Sequence, residues 1–221
     1  MKGFIILGLS VSSVLSAQTD STQIKEIQEV SFTRRLPVSK EIINVQKDLG
    51  SKNLGQDLPI LLKNQMSVVA TSDAGNGVGY TGFRIRGSAG TSINVMLNGV
   101  PYNDSESQGT FFVNIPDMAS SASQIVIQRG VGTSSNGTAS FGASVNILTK
   151  NPDEKPYVLG QFSAGSFNTL KTSFEAGSGK FLNNLLSVSA RYSTINSDGY
   201  IDRAFSKLNS YSINALFEKG N

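Results

Sequence analysis

Four stretches of about ten residues each, PYVLGQFSAGSF, TLKTSFEAGSG, LLSVSARYST and SYSINALFEKG, alternate apolar with polar side chains. A period of two places successive side chains on opposite faces of an extended chain. Leu186, Val188, Ala190 and Tyr192 therefore share one face, with Ser187, Ser189 and Arg191 on the other. Tyr211, Ile213, Ala215 and Phe217 likewise oppose Ser212, Asn214 and Glu218. Segments of this length, apolar outward and polar inward, match membrane β-barrel strands. A soluble β-sandwich with one wet face is the alternative that the alternation leaves open. Either way, 151–221 is expected to form antiparallel strands.

The start of the chain reads as an export signal. Met1-Lys2 is followed by the apolar run FIILGLSVSSVL and by small residues, which places a cut after Ala17, with Leu15 bulky for its position. That run is too short to span a bilayer, and no later segment has the ~18 continuous apolar residues of a membrane helix. The mature chain is thus expected outside the cytoplasm. It has no cysteine, so neither a disulfide framework nor a lipid-anchored N-terminal cysteine is available.

Residues 18–52 are polar and read as a leader. Within them EIQEVSFTRR sets Ile27, Val30 and Phe32 among acidic and hydroxyl residues, a segment able to add as a strand to another protein's sheet edge. Residues 53–150 read as a small mixed α/β unit. Leu54, Leu58, Leu61 and Leu62 have helical spacing and are expected in the core, with Pro59 limiting the helix start. FRIRG places Phe83 and Ile85 on one strand face and Arg84 and Arg86 on the other. INVMLNGVPYND carries Asn98-Gly99, a strong hairpin signal. Two more strands, SQIVIQRG and ASVNILTK, flank a glycine-rich stretch in which Gly130, Gly132 and Gly137 are expected to turn the chain.

Catalysis has little to stand on. Without His or Cys there is no Ser-His-Asp or Cys-His arrangement and no His/Cys zinc site. The glycine-rich segments miss the nucleotide-binding spacings. The acidic pairs Asp104/Glu106 and Asp153/Glu154 read as solvated loop residues. A net charge of +3, without a dense basic patch, argues against nucleic acid. The expectation is a non-enzyme with no cofactor and no metal site.

Taken in order, the export signal, EIQEVSFT, FRIRG, INVMLNGVPYND and IVIQRG…SFGASVNILTK resemble the TonB-dependent outer-membrane receptors, particularly those of the Bacteroidetes type. The family's proline after RG and its tyrosine-glycine are replaced here by Val131 and Phe141-Gly142. The resemblance implies a mixed α/β plug domain at 53–150. The first antiparallel transmembrane strands of a plugged barrel of about 22 strands would follow at 151–221. It implies a TonB box at Glu26, Ile27, Gln28, Glu29, Val30, Ser31, Phe32 and Thr33. Arg86 and Arg129 would lock the plug to barrel glutamates, and SDGYIDRAFS resembles a first extracellular loop. Tyr80, Tyr102, Asp104, Glu106 and Phe111, on the apical loops 71–80 and 102–112, are the candidate ligand contacts. The implied activity is uptake of a scarce nutrient, an iron-siderophore or similar chelate. The implied partners are the TonB-ExbB-ExbD complex, outer-membrane lipid and that small-molecule ligand, with plug and N-terminus facing the periplasm. A secreted or surface β-rich binding module without transport is the alternative.

Overall fold

The computed structural model describes residues 39–131 and 140–218. The first sheet begins earlier than the polar composition suggested. Strand β1 (Ser39–Asn44) runs into a π-helical turn, Val45–Leu49, whose start is capped by the Asn44 side chain accepting from Lys47 N at 3.1 Å. Ile43, Val45 and Leu49 are buried, so residues 39–49 of the expected leader belong to the first domain and supply these three side chains to its core.

A single helical turn follows, α1 (Leu58–Leu61), with Pro59 in its first turn, where the missing N–H costs nothing. Leu58, Leu61 and Leu62 are buried as expected. Leu54 is a correction: it is 44% exposed, because the helix begins only after it and the helical spacing does not reach it.

Strands β2 (Val68–Ser72) and β3 (Thr81–Ile85) form a separate two-stranded antiparallel hairpin. Phe83 and Ile85 turn inward and Arg84 and Arg86 outward. Strand β4 (Ile93–Leu97) and the short β5 (Val100–Pro101) are joined by Asn98-Gly99, with φ of 52° and 83°. Two consecutive left-handed residues are what a type I′ hairpin requires. After a second helical turn, α2 (Met118–Ser121), come β6 (Ala122–Arg129) and β7 (Ala143–Thr149). Gly130 turns the chain at φ 85°, whereas Gly132 and Gly137 lie outside the described residues.

The five-stranded sheet has the order β1-β6-β7-β4-β5, with β4 and β7 parallel and the remaining neighbours antiparallel. Its centre is apolar: Ile93, Val95, Ile125, Ile127, Val145 and Ile147 are essentially inaccessible. Each such side chain contributes roughly 1.5–3 kcal/mol by leaving water.

Past Asn151 the chain enters an antiparallel meander: β8 (Pro156–Gly165), β9 (Thr169–Phe181), β10 (Leu186–Ser197) and β11 (Ser206–Phe217), in the order β11-β10-β9-β8. The turn 166–168 and the loop 198–205 share one end of this wall, the loop end. The chain passes from first domain to wall at the other, the junction end.

The faces of the wall are inverted relative to a soluble sheet. Val158, Phe162, Phe174, Tyr211 and Ile213 are 80, 69, 61, 76 and 77% exposed. Ser163, Lys171, Ser173, Ser187, Ser189, Arg191 and Ser193 are buried instead. On the outer face Tyr192 and Tyr211, directly opposite across β10 and β11, bring their rings to 5.1 Å. No helix among the described residues is long and apolar enough to cross a membrane, which leaves crossing by strands untouched.

Candidate functional site

The polar face of the wall meets the first domain at one residue that local sequence does not mark. Asp117 precedes α2 in a left-handed conformation, φ 54° and ψ 28°, and its carboxylate lies between the helical turn and the wall. Its Oδ1 accepts from Lys171 Nζ at 2.7 Å and from Ser120 Oγ at 2.5 Å. Its Oδ2 accepts from Arg191 Nη1 at 2.5 Å. Lys171 and Arg191 come from β9 and β10, and all three side chains are almost wholly buried.

Every polar hydrogen on the two cations has an acceptor. Lys171 also donates to Ser120 Oγ at 2.9 Å and Asn53 Oδ1 at 3.5 Å. Arg191 donates through Nε and Nη2 to Ser121 Oγ, through Nη2 to the Asp117 carbonyl and through Nη1 to Ser193 Oγ. Those contacts occupy the three donors of an ammonium and the five of a guanidinium. Two cations against one carboxylate leave an excess positive charge, and Glu175 stands directly opposite Arg191 across β9 and β10. Taking one partner from such a buried network strands a charge, at a cost of about 3–5 kcal/mol. The chemistry of the cluster is that of a lock.

A second junction lies at the loop end. Asn76 Nδ2 donates to Ser197 Oγ at 2.5 Å, and Tyr200 N donates to the Ala74 carbonyl at 2.9 Å. The Tyr200 ring packs edge-on against Phe167, with centroids 5.4 Å apart, and covers Gly75, where a Cβ would lie 2.9 Å from Tyr200 Cδ1. Loop 73–80 of the first domain is thus seated on the wall loop 198–205.

Beneath loop 73–80 sits Asp57, buried at the start of α1. Its Oδ2 accepts from the Thr81 hydroxyl at 2.9 Å, while Oδ1 has no partner. Burial pushes its pKa up to about 7, against the opposing pull of hydrogen bonds from the Thr81 hydroxyl and the Gly79 backbone.

The residues singled out from sequence are distributed as follows. Glu26–Thr33 lie outside the described residues. Arg129 is buried, ion-paired with Glu41 of β1, and donates from Nε to the Met66 carbonyl at 3.0 Å, so its described partners are in its own domain. Arg86 is exposed, with its Nη1 close to Gly130. Among the described residues the ion pairs across the seam run with the opposite polarity: carboxylate on the first domain, cations on the wall. The sequence signal for them was two charges, Lys171 and Arg191, on the polar face of alternating strands.

Tyr80 is 62% exposed at the foot of loop 73–80, and Phe111 is exposed beside the buried Phe112, whose ring lies 5.3 Å from Phe83. Tyr102 is half-buried. Asp104 is engaged within its own loop, accepting from the Ser107 backbone at 2.7 Å, the Ser107 hydroxyl at 2.8 Å and Glu106 N at 3.2 Å. Those bonds, the Ser107 backbone first, hold its carboxyl below the usual range. Glu106 is exposed. No described hydrogen bond or ring contact brings Tyr80 together with the residues of loop 102–112. Among the described residues no three acidic side chains converge as a metal site would need.

Comparison with known proteins follows the same division. The family model described as the TonB-dependent receptor plug domain matches residues 33–144. Comparison with curated protein sequences finds no match. Three solved structures illustrate the likeness in fold. The pyoverdine outer membrane receptor FpvA from Pseudomonas aeruginosa is 16% identical, covering 83% of this chain and 26% of its own, with a TM-score of 0.63. The ferric yersiniabactin uptake receptor FyuA from Yersinia pestis is 15% identical, covering 80% and 28%, with a TM-score of 0.59. The siderophore receptor PirA from Acinetobacter baumannii is 18% identical, covering 72% and 24%, with a TM-score of 0.54. The chain thus spans about a quarter of the length of these receptors, and the likeness reaches past the plug into the wall strands. On the match over 33–144, the chain belongs to the TonB-dependent receptor plug-domain family.

Proposed function

We propose that this chain forms the plug and first wall strands of an outer-membrane receptor that imports a scarce nutrient, with energy supplied through TonB. The observation that carries the reading is the inverted wall: its apolar face is exposed, and its polar face is buried against the plug through Asp117, Lys171 and Arg191. A strand wall with lipid outside and a polar domain inside has this distribution. A secreted binding module would instead turn Val158, Phe174, Tyr211 and Ile213 into a core, and as an exposed patch they would invite association.

The ligand class that suits the family is an iron-siderophore or similar chelate. FpvA and FyuA, with a comparable plug-and-wall arrangement, are named for pyoverdine and ferric yersiniabactin. Tyr80 and Phe111 offer exposed aromatic surface for such a ligand, with Tyr102, Asp104 and Glu106 as polar groups on the loop that carries Phe111. Arg86 remains available for a glutamate further along the wall. The Bacteroidetes-type assignment rests on Val131 and Phe141-Gly142, and the plug and N-terminus would face the periplasm.

Glu26–Thr33 is the segment through which TonB would act, by adding as a strand to the TonB C-terminal domain. Capture of the intact protein by that domain, comparing wild type with Val30→Pro, tests the assignment. Proline removes a strand hydrogen-bond donor, so the variant should lose capture. Equal capture would count against the box.

A further inference from the structure

Alternation of apolar and polar residues does not by itself set the register of the wall strands. Sliding one strand by a single residue would turn its apolar side chains inward, whereas sliding it by two leaves every face as it was. The turns do little to choose between those registers. Between β8 and β9, Phe167 and Asn168 have φ of 57° and 52°, and a bulky residue such as Phe167 suits that region poorly. Between β9 and β10, Leu182, Asn183 and Asn184 are all left-handed, at 52°, 57° and 64°.

What marks out the observed register is the seating of two rings on two glycines. Tyr157 of β8 stands opposite Gly177 of β9 on the inner face, and Phe174 of β9 stands opposite Gly160 of β8 on the outer face. A Cβ on Gly177 would lie 2.7 Å from Tyr157 Cδ1 and closer still to Cε1. The ring is held in place, because its hydroxyl donates to Glu175 Oε1 at 2.6 Å. The Phe174 ring lies over Gly160, where a Cβ would be 3.6 Å from Cε1. Sliding β9 by two residues sets Phe174 against Val158 or Phe162, and Gly177 against Lys155 or Leu159. In either direction both rings lose these seats. A bulge keys β9 in turn to β10: the pairing shifts between Ser187 and Ser189, Gly179 is left-handed at φ 68°, and Val188 N donates to Ser178 Oγ at 3.0 Å.

We propose that Gly160 and Gly177 are register keys, which with Phe174 and Tyr157 fix the first wall hairpin in the register that brings Lys171 and Arg191 to Asp117. Only residues 150–155 separate β7 of the plug from β8, so β8 is tethered where it starts. A slip of β9 by two residues against it would carry both cations about 7 Å along the wall, out of reach of the carboxylate. The device needs only the wall strands and stands apart from the import reading.

Residues 1–221 contain no cysteine, so introduced pairs can report this register in the purified intact protein by disulfide formation. Ser173→Cys with Gln161→Cys reads the observed register, and Ser173→Cys with Leu159→Cys or Ser163→Cys reads the two slipped ones. With both keys intact only the first pair should close, since diagonal neighbours stand roughly 7 Å apart, beyond the reach of a disulfide. Tyr157→Ala with Phe174→Ala removes both rings, and the ratio of native to slipped crosslinks should fall about tenfold. Gly160→Val with Gly177→Val fills both seats with good strand formers and should lower the ratio likewise, which keeps the test decisive if the first variant does not fold. An unchanged ratio in either folded variant, or slipped pairs that close as readily as the native pair when both keys are intact, would overturn the proposal.

Discussion

Asp117 of the plug and Lys171 of the wall stand 2.7 Å apart with both side chains fully buried, and Arg191 approaches the other carboxylate oxygen at 2.5 Å. The ion network at this seam thus depends on a single acid shared by two cations. Asp117→Ala leaves both cations buried without their partner and should destabilise the plug's seating by about 3–5 kcal/mol. A cycle with Lys171→Met should be non-additive, with coupling of about 1–3 kcal/mol. Urea-induced exposure of the plug in the intact protein to limited proteolysis would measure both.

Asp57 should make the stability of the plug depend on pH. Its pKa is raised from 3.8 to about 7, so the folded plug favours the protonated form. The sign follows: its stabilising contribution is complete below about pH 4 and is lost as pH rises through about 7. Each tenfold change in proton affinity is about 1.4 kcal/mol, which makes the full swing on the order of 4 kcal/mol. Asp57→Asn should flatten the slope of stability between pH 4 and 7, measured by thermal unfolding across that range. An unchanged slope would show that another group carries it.

Much of this architecture was legible from pattern, and the exceptions have physical causes. The wall strands appeared through alternation, since an exposed apolar face on one side and a buried polar seam on the other keep the period of two. Asn98-Gly99 appeared because few residue pairs accept two left-handed conformations. Strand β1 was missed because SKEIIN is an edge strand: only one flank pairs, Ile43 is buried while Ile42 remains 58% exposed, and Lys40 and Glu41 read as leader. Leu54 was overassigned because helical spacing cannot reveal where a single helical turn begins. Asp117 was invisible for a different reason. Its partners lie 54 and 74 residues later, and only the fold brings them together.

Arg129 has a role within the plug that can be separated from any contact with the wall. Its ion pair with Glu41 ties β1 to β6, and its Nε holds the Met66 carbonyl. Glu41→Gln should weaken that tie by about 2–3 kcal/mol, since hydrogen bonds to charged groups are among the stronger ones. Hydrogen exchange should quicken at the β1 amides while those of β7 stay protected. Arg129→Lys should not restore a double contact that needs a forked donor.

Gly75 tests the coupling of the two loops. Its φ of 74° and the Tyr200 ring above it leave no room for a side chain. Gly75→Ala should unseat loop 73–80 from loop 198–205 and cost on the order of 1–3 kcal/mol in strain. Protease sensitivity confined to these loops, with the rest of the fold intact, would be the expected readout.

The central claim is that this chain gates TonB-driven import, and uptake of radiolabelled iron chelates by whole cells tests it most directly. The measurement compares ferric hydroxamates and ferric catecholates in cells producing the intact protein, its Val30→Pro variant, or the wild type without a proton gradient. The account predicts that at least one chelate binds to all three, but accumulates only in energised cells with the unaltered segment 26–33. Equal accumulation in all three would contradict it.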